Sequence, residues 1–87
     1  MHCEATYPGL VKWTVRAFEQ LGWMVLAYKE GYGYKVTAYK KSLDHLVKCI
    51  EERHSIMQDA DKRKDLEILL QKANVLRAHV KAIFKKA

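Results

Sequence analysis

Apolar residues recur along this chain at alternating spacings of three and four. From Asp59 to Ala87 they fall at Leu66, Leu69, Ala73, Leu76, Val80 and Ile83, which on a helix of 3.6 residues per turn draws one continuous seam. A helix with one apolar seam needs a surface to bury it against. Two upstream segments repeat the period, so the chain supplies its own partners. The pattern predicts an all-α, antiparallel three-helix bundle over about 8–30, 34–57 and 60–86. These helices fill a single domain, 1–87, whose residues 1–6 are expected to fray.

Local signals mark the helix ends. Thr6-Tyr7-Pro8 reads as a start, with Thr or Tyr in the cap region and Pro where a missing N–H costs nothing. In the first helix Val11, Phe18, Leu21, Val25 and Tyr28 form one stripe. Leu10, Trp13, Ala17, Met24 and Ala27 form a second beside it. So wide an apolar arc makes this the helix expected to be most buried. Gly22 interrupts it at a cost of about 1 kcal/mol relative to Ala, and its bare backbone invites a close neighbour. Glu30-Gly31-Tyr32-Gly33 is the clearest break, with Gly31 suited to a left-handed position past a helix end. The second helix carries Val36, Tyr39, Leu43, Leu46, Ile50 and Met57 on its seam. Lys40 with Asp44, and Lys48 with Glu52, have the spacing of surface ion pairs. Either Asp59 or Asp61 suits the cap of the third helix.

Composition narrows the class. With 49% hydrophobic and 30% charged residues and a single Pro, the chain has the balance of a folded soluble domain rather than a disordered tail. Its longest apolar run, Trp23 to Tyr28, is far short of the roughly 20 residues a membrane span requires, and no secretory leader is recognisable. Two cysteines, Cys3 and Cys49, do not describe a disulfide framework. They fit plain thiols in a reducing, intracellular compartment.

The net charge of +6 is placed unevenly. Between Gln71 and Ala87 stand Lys72, Arg77, Lys81, Lys85 and Lys86, with no acid. Cations at a helix C-terminus stabilise it through its dipole. The same stripe would also hold an acidic protein or, with salt-sensitive affinity, a nucleic acid. Three helices of this length cannot hide every aromatic ring. Trp13, Tyr32 and Tyr34 are the candidates for a contact surface, since aromatic anchors carry much interface energy.

Catalytic and metal chemistry find no footing. His45 and Cys49 lie one turn apart, but two ligands make no zinc site. Ser42 and Asp44 point about 200° apart on their helix, which forbids a relay through His45. No cofactor fingerprint or phosphate-cradling loop is present, and a packed bundle of this size leaves little concavity for a small-molecule substrate. The expectation is a non-enzymatic chain without metal or cofactor.

Two resemblances add to this reading. Leu69-Leu70-Gln71-Lys72-Ala73-Asn74-Val75-Leu76, preceded by Tyr39-x-x-Ser42-Leu43, resembles the corresponding runs of the three-helix microtubule-interacting-and-trafficking (MIT) domains. The similarity covers about Phe18 to Phe84. It implies a binder of helical peptides. Asn74 stands where such domains carry an acid that helps hold a basic peptide. The run Leu21-Gly22-Trp23-Met24-Val25-Leu26-Ala27, with Lys35-Val36, Ala38-Tyr39-Lys40-Lys41-Ser42 and Asp61 to Ile68, is similar to small uncharacterised proteins of giant DNA viruses. That resemblance implies a viral setting, in host cytoplasm or virion. The functional expectation is therefore a protein-interaction or structural module that binds a protein partner or self-associates through the wide face of its first helix. A small basic nucleic-acid-associated protein is the alternative.

Overall fold

The computed structural model describes residues 5–85. Within them the chain forms α1 (Tyr7–Lys29), α2 (Gly33–Ile56) and α3 (Ala60–Ile83). All three pack together as an antiparallel bundle with principal extents of 45 × 23 × 18 Å. Residues 1–4 of the expected frayed start lie outside the described residues. Ala5 packs against the core and Thr6 caps α1.

The ends follow local chemistry. Thr6 is the cap residue of α1, its Oγ1 accepting from the Gly9 N–H at 3.3 Å, while Pro8 occupies the first turn. At the other end Gly31 takes φ = +90°. There the Tyr32 N–H donates to the Ala27 carbonyl at 2.9 Å and the Gly31 N–H to that of Tyr28 at 3.2 Å. This is the paired closure that a left-handed glycine makes available. Of the two candidate caps for α3, Asp59 serves. Its Oδ1 accepts from Asp61 N at 2.9 Å and Lys62 N at 3.2 Å, and Asp61 adds its charge to the first turn.

The core departs from expectation in one respect. It is α2, not α1, that is most buried: Val36, Tyr39, Leu43, Leu46, Val47, Cys49 and Ile50 are all inside, whereas α1 buries only Leu10, Thr14 and Ala17. The cause is topological. α2 packs against both neighbours, while α1 and α3 meet each other more sparsely than either meets α2. The wide arc of α1 is therefore covered on one flank only. In α3 the seam Leu66, Leu69, Ala73, Leu76 and Val80 is buried as predicted. Ile83 is not; the helix ends there and Phe84, 1% exposed, turns inward in its place. The predicted end at 86 is thus too long, and Lys86 lies outside the described residues.

Polar groups inside the bundle tie the helices together. The Tyr39 hydroxyl donates to the Ala17 carbonyl of α1, and burial pushes its phenol up to about 12. Thr14, buried on α1, returns its hydroxyl to the Leu10 carbonyl at 2.8 Å. Lys40 Nζ donates to the Phe84 carbonyl at 2.9 Å, closing the C-terminus of α3 from α2. Asp44 faces Arg77 at 3.4 Å. Gly22 is also unlike its expectation: a Cβ placed there would meet nothing within 4 Å, so no helix of this chain uses its bare backbone.

Candidate functional site

Two contacts fix how α1 and α3 lie. Tyr7 of α1 lies beside Asp65 of α3, and desolvation, then that carboxylate, raises its phenol pKa. At the far end the Tyr28 and Phe84 rings meet edge to face with centroids 5.2 Å apart. The two helices are therefore parallel neighbours. α2 lies on the opposite flank of each. Trp13 of α1 rests its ring on His45 of α2, centroids 5.5 Å apart, and Arg77 of α3 reaches Asp44 of α2.

Helical period then places a second stripe on each. Val15 is two residues, about 200°, on from Trp13, and Val75 is two residues before Arg77, so both point away from α2. Phe18 and Leu26 continue the Val15 stripe of α1; Ile68 and Ile83 continue the Val75 stripe of α3. All six are between 42% and 54% exposed. Two adjacent parallel helices thus share a face on which, among the described residues, no other element packs, and on which these six side chains alternate with Gly22, Lys72 and His79. Surface apolar residues scattered singly need no explanation, but six aligned on two neighbouring helices mark a contact region. Gly22 lies within this face, between Phe18 and Leu26, as a gap in the row of side chains.

The other predicted residues distribute differently. Trp13 is half-buried, packed against the core and against His45. Tyr32 and Tyr34 are exposed and pair edge to face with centroids 6.0 Å apart, with Lys35 Nζ 4.9 Å above the Tyr32 ring. They form a small aromatic knob on the α1–α2 turn, where Tyr32 and Lys35 line a hollow together with Leu26. Asn74, Lys72, Lys81 and Lys85 are exposed, and Arg77 is half-buried. Arg77 and Lys81 line a cavity of about 110 Å³ between α2 and α3, together with Lys40, Leu43, Asp44 and Val80. Lys72 stands apart from these on the α1–α3 face. The cationic stripe is therefore split between two sides of α3.

Cys49 is disulfide-bonded, and among the described residues no cysteine is a free thiol. This corrects the expectation of two plain thiols; Cys3 lies outside the described residues. The Cys49 sulfur is buried, 3.7 Å from His45 Nε2. No group of three or more metal-ligating side chains occurs among the described residues, nor is any helix long and apolar enough to cross a membrane.

The sequence reading placed Phe18 on an apolar stripe of α1 but neither Val15 nor Leu26, and it passed over the exposed stripe of α3. Its signal was present: Ile68, Val75 and Ala82 are spaced seven apart, a weak period masked by Lys72 and His79 between them. Compared with family models, curated proteins and solved structures, the chain matches none.

Proposed function

We propose that this chain is a non-enzymatic protein-interaction or structural module whose contact surface is the apolar face shared by α1 and α3. The observation that carries this is the set of six half-exposed aliphatic and aromatic side chains aligned on two parallel helices. Apolar contacts of this kind release water on burial and gain roughly 25 cal/mol per Å². The non-enzymatic part rests on the residues themselves, since no set of acids, bases or nucleophiles has catalytic spacing. The similarity to giant-virus proteins supports a setting in a large DNA virus. Of host cytoplasm and virion, the disulfide at Cys49 favours the virion, because such bonds persist where reductants do not reach.

Retention by a partner protein should persist at high salt and disappear in Phe18→Glu or Val75→Glu, both exposed positions where a charge leaves the fold intact. Equal capture of partners by these variants and the parent would overturn the assignment of the face.

A second reading, nucleic-acid association, is favoured by the acid-free run from Gln71 onward with exposed Lys72, Lys81 and Lys85. It requires binding that collapses between about 50 and 200 mM salt. Charge reversal at Arg77, Lys81 and Lys85 would abolish it and leave contacts through the apolar face unchanged. An MIT-like grip on a helical peptide is the same physical mode, an amphipathic helix added to a groove between two others.

A further inference from the structure

We infer that the occupant of the α1–α3 face is a second copy of this chain, related by a two-fold axis that crosses both helices at the height of Phe18 and Val75. This rests on reading that face as the contact surface, and it is carried by a symmetry in the side chains. The two anchors joining α1 to α3, Tyr7 with Asp65 and Tyr28 with Phe84, place Phe18 and Val75 at the same height, midway between them. Outward from Phe18 the stripe reads Val15 three residues before and Gly22 four after, then Val11 seven before and Leu26 eight after. Outward from Val75 it reads Lys72 three before and His79 four after, then Ile68 seven before and Ile83 eight after. The offsets on the two sides of each centre agree to within one residue, about 1.5 Å of helix rise.

A closed dimer needs a surface complementary to itself, in which residue i meets j and j meets i. A two-fold axis perpendicular to the helices stacks α1 on α1 and α3 on α3, each antiparallel. Phe18 and Val75 then meet their own counterparts, and Ile68 meets Ile83. Val15 of one copy seats on the bare backbone of Gly22 in the other, which gives that glycine a neighbour the single chain lacks. Lys72 faces His79, whose imidazole nitrogen accepts from an ammonium.

The area agrees. Six large side chains at about half exposure leave roughly 500 Å² of apolar surface on the face. With interfaces about 65% apolar at their core, this corresponds to about 800 Å² per copy, the standard size for a stable pair.

Sedimentation equilibrium on the full chain tests this. The expected mass is twice 10.2 kDa at tens of micromolar. Gly22→Trp, which fills the gap, and Val75→Glu, which sets two carboxylates face to face at the axis, should each weaken the dimer at least tenfold while helical circular dichroism is kept. Ile56→Glu, an exposed position on α2, should leave it unchanged. Should Gly22→Trp not fold, Val75→Glu alone decides. Orientation is read by mild oxidation: Val75→Cys crosslinks to itself, whereas Leu26→Cys, about 24 Å from its own symmetry mate, does not. A chain that stays monomeric to about 500 μM, a dimer indifferent to both face variants, or equal crosslinking at 26 and 75 would each overturn the inference. A monomeric chain whose partner capture is still lost in Val75→Glu leaves the face assignment standing and shows that another protein occupies it.

Discussion

Gly22→Ala is the perturbation whose outcome follows most directly from the geometry. Gly22 sits in the interior of α1 with helical neighbours on both sides, and a Cβ built there meets nothing within 4 Å. A methyl group is therefore added without steric cost. The gain is the difference in helix propensity, about 1 kcal/mol, arising in large part because alanine has less backbone freedom to lose from the unfolded chain. Unfolding entropy near 2.1 cal/mol/K per residue gives this chain about 0.18 kcal/mol/K, so the melting temperature should rise by ~5 °C. The assay is thermal unfolding followed by circular dichroism at 222 nm at about 1 μM, dilute enough to report the single chain. A fall in melting temperature would mean that some backbone lies against position 22 within one chain, and the account of an uncovered α1 flank would fail. At high concentration the same substitution crowds Val15 of a second copy, so the gain should shrink as the chain is concentrated.

Other outcomes follow from the core. Leu76→Asp places a carboxylate at a position 1% exposed; lost burial and an unpaired buried charge together exceed about 5 kcal/mol, enough to unfold a small domain. Retained helical circular dichroism with an unchanged melting temperature would contradict the placement of α3. Tyr39→Phe removes the hydroxyl bond to Ala17 but leaves that carbonyl its helical partner, costing about 1 kcal/mol in urea unfolding. Since burial raises the Tyr39 phenol to about 12 from its ordinary value of 10.0, the folded state holds its proton more tightly than the unfolded state. That contribution is complete below pH 10 and is lost as pH rises toward 12. The parent should accordingly lose stability faster than Tyr39→Phe over this window, and parallel profiles would refute the assignment. Reducing the disulfide at Cys49 should cost about 2–4 kcal/mol. Melts of the parent with and without dithiothreitol check this, Cys49→Ala serving as the variant indifferent to reductant; coincident parent melts would count against a structural bond.

Much of this molecule was legible residue by residue. The seams of α2 and α3, the Thr6 and Asp59 caps, and the Gly31 turn all depend on groups within a few residues of one another: a 3.6-residue period, a side chain reaching a nearby N–H, a glycine tolerating positive φ. The sequence by itself therefore determined that there are three helices, where they turn, and which stripe of α2 and α3 goes inside. The candidate site was legible only by half. Phe18 belonged to a visible stripe, but periodicity cannot tell which of two adjacent stripes on a broad apolar arc will be covered. Trp13 is half-buried, because whether a ring at that position meets solvent depends on His45, thirty-two residues away.

Tertiary packing made the remaining decisions. It set α2 against both neighbours, brought α1 and α3 side by side in parallel, and turned Phe84 inward where Ile83 had been expected. Those choices left one flank of each outer helix bare and aligned Phe18 with Val75. The physical reason is that apolar burial has no direction of its own: a chain records which residues avoid water, and only the arrangement of all three helices decides which of them find cover.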